Sequence, residues 1–418
     1  MSLQTELDAW IQKWVNSGRL PCMSAAVSVG GSLVYEGRYG FADVEAKKPL
    51  QGNDLFAIAS LTKIFTAVAV LQLVERGLMA LEDPIEKFVP EFAAIPGVLE
   101  KDGSLSPLQR SVLVVDCLRH TTGFIPSPFI AVLADGRPNE MGHKVHQILE
   151  ESVDNLDMSR KLAKLPLVNQ PGQRIEYGVS VDVAGCLVEV ASGVPIDEYL
   201  SKHILGPLGM DSTIFVQRLT TELEERVVKC YRANLEAWKA DANAFWDDGF
   251  EGERMRLCTP KEDYVIAAPK VLRPGASLLS TVEDFMKFGR CLLQGGRLAS
   301  GEGQILSAES VRLLTKDHST PECTCRPPLH IVNGATEDPA DKGFGLTLCV
   351  DKGSSGGGFA EWGGIMTTIF WLDPKRDLVA LFFSHIWSSL VYPLRPELQR
   401  IVQRNVPEKL PGSREIAG

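Results

Sequence analysis

The sequence predicts an α+β fold, an antiparallel sheet formed from both chain ends and flanked by helices, together with a mostly helical middle. Three observations carry this. Runs of β-prone residues sit near the two ends of the chain, helical apolar periodicity dominates between them, and a helix stands at each end.

In chain order, Leu3, Leu7, Trp10, Ile11, Trp14 and Val15 share one helical stripe, with Glu6, Asp8 and Lys13 off it. That is a surface helix, not a secretory leader, which carries an early basic cluster and an unbroken apolar core. Ser24 to Val29 and Leu33 to Tyr39 read as strands joined by Gly30-Gly31 in a hairpin. Helical periodicity then marks Ser60–Arg76, Val112–His120, Val181–Ser192, Ile196–Ile204, Thr281–Leu293 and Ala308–Leu314. Phe344 to Val350, Thr367 to Leu372 and Leu378 to Ser384 read as further strands, with Asp373-Pro374-Lys375-Arg376 as the turn between the last two. A closing helix at about Tyr392 to Gln403 can pack beside the first. Pro126-Ser127-Pro128 and Pro327-Pro328 mark loops. Leu235 to Phe250, with Trp238, Phe245 and Trp246 among Asp and Lys residues, is a long excursion, either a lid over a pocket or a surface-packed loop. The expected division is a discontinuous sheet domain, 1–58 with 272–410, and a helical domain, 59–271. A lid-like insertion spans 224–270, and the active site lies where the two domains meet.

A chain of 418 residues with 44% hydrophobic and 23% charged residues buries a large core. The formal net charge of −10 argues against nucleic acid or an anionic membrane as partner and favours a small-molecule substrate. The most apolar stretch, Ile64 to Val74, is far shorter than the roughly 20 residues of a membrane span. Nine cysteines form an odd, scattered set that suits reduced core thiols and a cytoplasmic setting. Cys323-Thr324-Cys325 with His318 and His330 matches no zinc spacing, so no metal and no cofactor is expected.

Ser60-Leu61-Thr62-Lys63 opens the apolar run. On a helix, a spacing of three puts both side chains on one face with Cβ atoms roughly 5–6 Å apart, so the amine reaches the hydroxyl. A serine at a helix start also has an unpaired backbone N–H in the positive end of the helix dipole, which helps hold an oxyanion and favours a neutral lysine. The plainer alternative is a serine cap and a solvated lysine, but a merely solvated lysine is less expected before an unbroken apolar run. Gly353-Ser354-Ser355-Gly356-Gly357 formally matches a G-x-S-x-G elbow. That elbow needs a strand, a strained turn and a helix, whereas here a strand runs into a glycine tract, which reads as a turn.

Leu55-Phe-Ala-Ile-Ala-Ser-Leu-Thr-Lys63 followed by Leu71-Gln-Leu-Val-Glu-Arg-Gly77 resembles the serine β-lactamase and penicillin-binding-protein-like family, class C-like. Within it, the chain resembles the esterase and transesterase branch, family VIII carboxylesterase-like. The resemblance continues through Leu118-Arg-His-Thr-Thr-Gly123, Pro171-Gly-Gln-Arg-Ile-Glu-Tyr-Gly-Val-Ser180, Gly206-Pro-Leu-Gly-Met210, Leu279-Ser-Thr-Val-Glu-Asp-Phe285 and Trp362-Gly-Gly364. It implies a β-lactamase-like fold and a serine hydrolase or acyltransferase that forms an acyl-enzyme on Ser60 and passes the acyl group to water or an alcohol. Lys63 and Tyr177 would move the protons. Trp362-Gly363-Gly364 would be the third motif, and the N–H of Ile365 a second oxyanion donor beside that of Ser60.

Val179 stands where the family has an amide side chain, and Trp362 where a cation would grip a carboxylate. Losing both implies a drier pocket that favours small uncharged esters, with Ser180 partly replacing the amide. His120 is expected to be a structural hydrogen bonder, and His143 and His146 surface residues. Glu176 and Asp182 either tune Tyr177 or are solvated at a helix start. The resemblance leaves open a β-lactamase or D-amino-acid peptidase, and a non-catalytic protein that keeps the fold.

Overall fold

The computed structural model describes residues 2–126, 133, 136–241, 245, 247, 249–319, 342–351, 359–387 and 394–408. The sheet expected from both chain ends is present. Its strands are β1 (Cys22–Val29), β2 (Ser32–Asp43), β3 (Lys48–Pro49), β4 (Lys342–Phe344), β5 (Cys349–Asp351), β6 (Ala360–Gly364), β7 (Thr368–Asp373) and β8 (Leu378–Phe383). They lie in the order β4-β5-β6-β7-β8-β1-β2-β3, and every neighbouring pair is antiparallel. The chain ends join where Ala25 faces Phe382 and Ala26 faces Leu381.

The side-chain alternation of a strand sorts β1 between two cores. Met23, Ala25 and Val27 pack with Leu7, Ile11, Trp371 and Leu398, whereas Cys22 and Ala26 join Phe285, Phe288 and Phe370. Helices α1 (Leu3–Asn16) and α5 (Leu394–Asn405) supply the first core; they are bound through Trp10 Nε1, which donates to Glu397 at 2.7 Å, and the ion pair of Glu6 with Arg404. The helices that serve the second include α2 (Thr62–Glu75), α3 (Ser180–Ser192) and α4 (Val282–Leu293). Because α2 is apolar all round, it is buried from Thr62 to Leu73. Its Phe65 stacks on Phe288 of α4 with centroids 4.1 Å apart.

Phe344 to Val350 departs from the sequence reading, for it is a turn between β4 and β5 and not one strand. Leu346 N–H donates to Leu314 O at 3.1 Å and Thr347 N–H to Leu118 O at 2.9 Å. The carbonyls left over at two helix ends thus take the donors that a ladder would need. Thr347 accordingly sits at φ 71°. The helix expected over Val112–His120 shortens to Val114–Leu118. That expected over Ile196–Ile204 widens into a π turn at Ser201–Leu205. His143 and His146 lie exposed on or beside the helix Gly142–Glu151, as expected.

The excursion leaves as the strand Tyr231–Ala233 and returns as Met255–Leu257, with Ile386–Trp387 pairing alongside. Arg254 donates to Phe245 O, Asp247 O and Ser17 O, so this part packs against the end of α1. Trp246, Cys323, Cys325, Pro327, Pro328, His330 and Gly353 to Gly357 lie outside the described residues. The seven described cysteines are all buried. Among the described residues no cluster could hold a metal ion, and no helix is long and apolar enough to cross a membrane.

Candidate active site

The segment before α2 is drawn tight by hydrogen bonds. Phe56–Ala57 pairs with Leu279 and Ser280, Ile58 N–H donates to Leu278 O at 3.0 Å, and Leu278 N–H donates to Thr62 Oγ1 at 3.1 Å. The chain must then turn sharply into a 3-10 turn, Ala59–Leu61, and Ala59 adopts the left-handed φ of 46°. A non-glycine residue held there costs on the order of 1–2 kcal/mol, strain of the kind found at working sites. Ser60 follows at the crest, half-buried.

Ser60 Oγ accepts a hydrogen bond from Tyr177 OH at 2.7 Å and one from Lys63 Nζ at 3.2 Å. The amine also donates to Gly275 O at 2.7 Å and lies 4.8 Å from the centre of the Tyr177 ring. Lys63 is 4% exposed, while Tyr177 is half-buried beside Ser60. A hydroxyl, an amine and a phenol that are expected to cooperate therefore meet at one crevice.

Strand β6 flanks this crevice at the closest approach that backbones allow. A Cβ on Gly364 would fall 2.4 Å from Ile58 O and 3.1 Å from Ala59 Cβ, so only glycine fits there. Thr368 Oγ1 of β7 donates to Ile58 O at 3.2 Å and ties the same segment to the sheet. Half-buried Ile365 comes next in the chain, and Met366 packs with Ala59.

Trp362 is 1% exposed, its ring 5.7 Å from that of Tyr177 and 5.5 Å from that of Phe344. It backs the phenol from inside the fold. Val179 is 1% exposed, and the buried Ser180 hydroxyl is bound to Thr122 Oγ1 at 2.9 Å. Neither presents a side chain at the surface of the crevice. Gly363 lies over Arg395, whose Nη2 would be 2.2 Å from any Cβ added there.

His120 differs from the expected hydrogen bonder. It is fully buried with φ 57°, and among the described residues neither ring nitrogen has a hydrogen-bond partner. Its ring lies 4.5 Å from that of Tyr177, and burial together with the Lys63 charge holds the imidazole well below its usual pKa. It is a neutral spacer behind the phenol. Glu176 and Asp182 are not solvated, at 3% and 0% exposure. Sequence reasoning missed Arg273 and Gly275. The available signal was Asp182 itself, a carboxylate among Val181, Val183 and Ala184, which demands a buried partner.

This architecture and crevice define a class, and the chain belongs to it: the beta-lactamase family model matches residues 7–402. Protein Rv1367c of Mycobacterium tuberculosis is 30% identical over 369 residues, 84% of this chain and 82% of that one. Esterase EstB of Burkholderia gladioli is 34% identical over 220 residues, 51% of this chain and 52% of its own length. Among solved structures, EstCE1, described as a hydrolase with promiscuous acyltransferase activity, aligns with a TM-score of 0.72 at 20% identity. That alignment covers 96% of this chain and 98% of EstCE1.

Proposed function

We propose that the protein is a serine carboxylesterase and acyltransferase that acts on small uncharged esters through an acyl-enzyme on Ser60. The observation that carries this reading is that Ser60 Oγ accepts from both Tyr177 OH and Lys63 Nζ. Oγ attacks the ester carbonyl carbon as its proton passes to the Lys63 and Tyr177 pair. The resulting oxyanion faces the N–H groups of Ser60 and Ile365. The pair returns the proton to the leaving alkoxide, the C–O bond breaks, and the acyl group remains on Ser60. Water or an alcohol then enters and the same steps run in reverse.

The relatives named for esterase and acyltransferase activity support this choice of reaction. The absence of a charge at Trp362, where a cation would grip a carboxylate, supports uncharged substrates. In this reading residues 1–58 with 272–410 supply the oxyanion strand, and residues 59–271 supply Ser60, Lys63 and Tyr177.

The test is turnover of short-chain p-nitrophenyl esters by wild type and Ser60→Ala. A loss of at least about a hundredfold is expected, along with a fluorophosphonate adduct on Ser60 of wild type alone. Retained turnover in Ser60→Ala would end the proposal.

A further inference from the structure

Asp182 enters α3 in its first turn and is fully buried. A carboxylate so placed is tolerated only with charge and donors around it. Arg273 supplies them through Nη2 at 2.9 Å and Nε at 3.3 Å, and Gly275 N–H adds a third donor at 3.1 Å. None of these contacts involves Ser60 or Tyr177. Their target is the turn that Arg273 begins.

Pro274 and Gly275 are held on every side. Thr66 Oγ1 of α2 donates to Pro274 O at 2.7 Å. The proline ring packs against Gly185 of α3, where an added Cβ would come within 2.2 Å of it. A Cβ on Gly275 would meet the Asp182 carboxylate at 2.9 Å. The same Gly275 that gives its N–H to Asp182 offers its carbonyl to Lys63 Nζ at 2.7 Å.

We propose that Asp182 and Arg273 are positioning residues for Lys63, clamping the Pro274–Gly275 turn so that the Gly275 carbonyl holds the amine against Ser60. This rests on the reading of Ser60, Lys63 and Tyr177 given above. A lysine side chain is long and flexible, and Val179 provides no polar atom to fix it. Among the described residues the amine donates to Ser60 Oγ and to the Gly275 carbonyl. If the turn relaxes by about an ångström, the amine leaves the hydroxyl, and misplacement on that scale costs on the order of a hundredfold in rate.

The experiment compares Arg273→Ala, Arg273→Lys and Asp182→Asn with Asp116→Asn. Asp116 is an equally buried carboxylate, paired with Arg110 and Arg119 and making no contact with Lys63. Each variant is assayed well below its own Tm on p-nitrophenyl acetate, and the rate of Ser60 labelling by a fluorophosphonate is followed by mass. Arg273→Ala and Asp182→Asn should lose about ten- to a hundredfold in kcat, with KM changed less than about threefold and labelling slowed in parallel. Arg273→Lys should recover part of that loss, and Asp116→Asn should lower Tm while keeping kcat. Full kcat in folded Arg273→Ala, or kcat losses that simply track Tm in all four variants, would overturn the proposal. Ser60 labelling of wild type with no effect of Arg273 would sink the clamp alone, whereas active Ser60→Ala would sink the reading beneath it.

Discussion

Replacing Gly364 with alanine isolates the contact between β6, the proposed oxyanion strand, and the segment that carries Ser60, the proposed nucleophile. The residue lies in β6 outside the left-handed region, so alanine is acceptable to its backbone, and the penalty is one of space alone. The new methyl would stand 2.4 Å from Ile58 O, where ordinary contact begins at 3.4 Å. Ile58 O is backbone and already accepts from Thr368 Oγ1 and Leu61 N–H, so β6 must retreat by about 1 Å. A hydrogen bond from Ile365 N–H to a developing oxyanion would stretch beyond useful length, and losing one such donor costs about 2.7–4 kcal/mol, a hundred- to a thousandfold in kcat. Overpacking should cost stability only about 1–3 kcal/mol, so the protein remains folded for assay. Initial rates on p-nitrophenyl acetate with a melting curve on the same sample decide the matter. Thr368→Ala should not rescue Gly364→Ala, because it removes only the clash with Thr368 Oγ1, at 2.3 Å, and leaves the one with Ile58 O. Near-normal kcat in the single variant, or full rescue in the double, would refute the geometry.

Further expectations follow from the same structure. Lys63→Ala and Tyr177→Phe should each lower kcat by about 10²–10⁴-fold with Tm little changed, since each removes a group bonded to Ser60 Oγ. Burial raises the pKa of Asp116, but hydrogen bonds from Arg110, Leu113 N–H and Arg119 outweigh it and hold the carboxyl below its usual value. A lowered carboxylate pKa stabilises the fold above about pH 4 and loses that contribution as pH falls through the folded value, so an acid melt of wild type should steepen there and that of Asp116→Asn should not. Cys230 and Cys258 lie with sulfurs 3.4 Å apart on adjacent extended segments. Mild oxidation should join them, lower the mass by two hydrogens and raise Tm by about 4 °C, the loop-closure entropy of the intervening segment spread over a chain of this size.

The parts of the site that were legible in the sequence are those that lie close together along the chain or on one periodic element. Ser60 and Lys63 are three residues apart, one in the 3-10 turn that leads into α2 and the other in its first turn, and their meeting follows from that short helical spacing. Tyr177 is 117 residues from Ser60, and only the ordered series of motifs pointed to it. The clamp was illegible for the same reason, since 91 residues separate Asp182 from Arg273 and 212 separate Lys63 from Gly275. Phe344 to Val350 reads as a strand because its residues favour one; Leu314 and Leu118, which divert it, come from distant helices. His120 looked polar and proved to be packing, because a residue's type does not reveal whether its neighbours offer partners.

The pairing of β1 with β8 has a consequence for how the protein is made. The first strand leaves the ribosome about 350 residues before its second neighbour exists, on the order of twenty seconds to a minute at ordinary synthesis rates. Throughout that interval β1, a strand that ends up buried along nearly its whole length, must wait with one edge open, an invitation to mispairing. Yield from a cell should therefore depend on chaperone supply and growth temperature more steeply than the finished enzyme's stability would suggest.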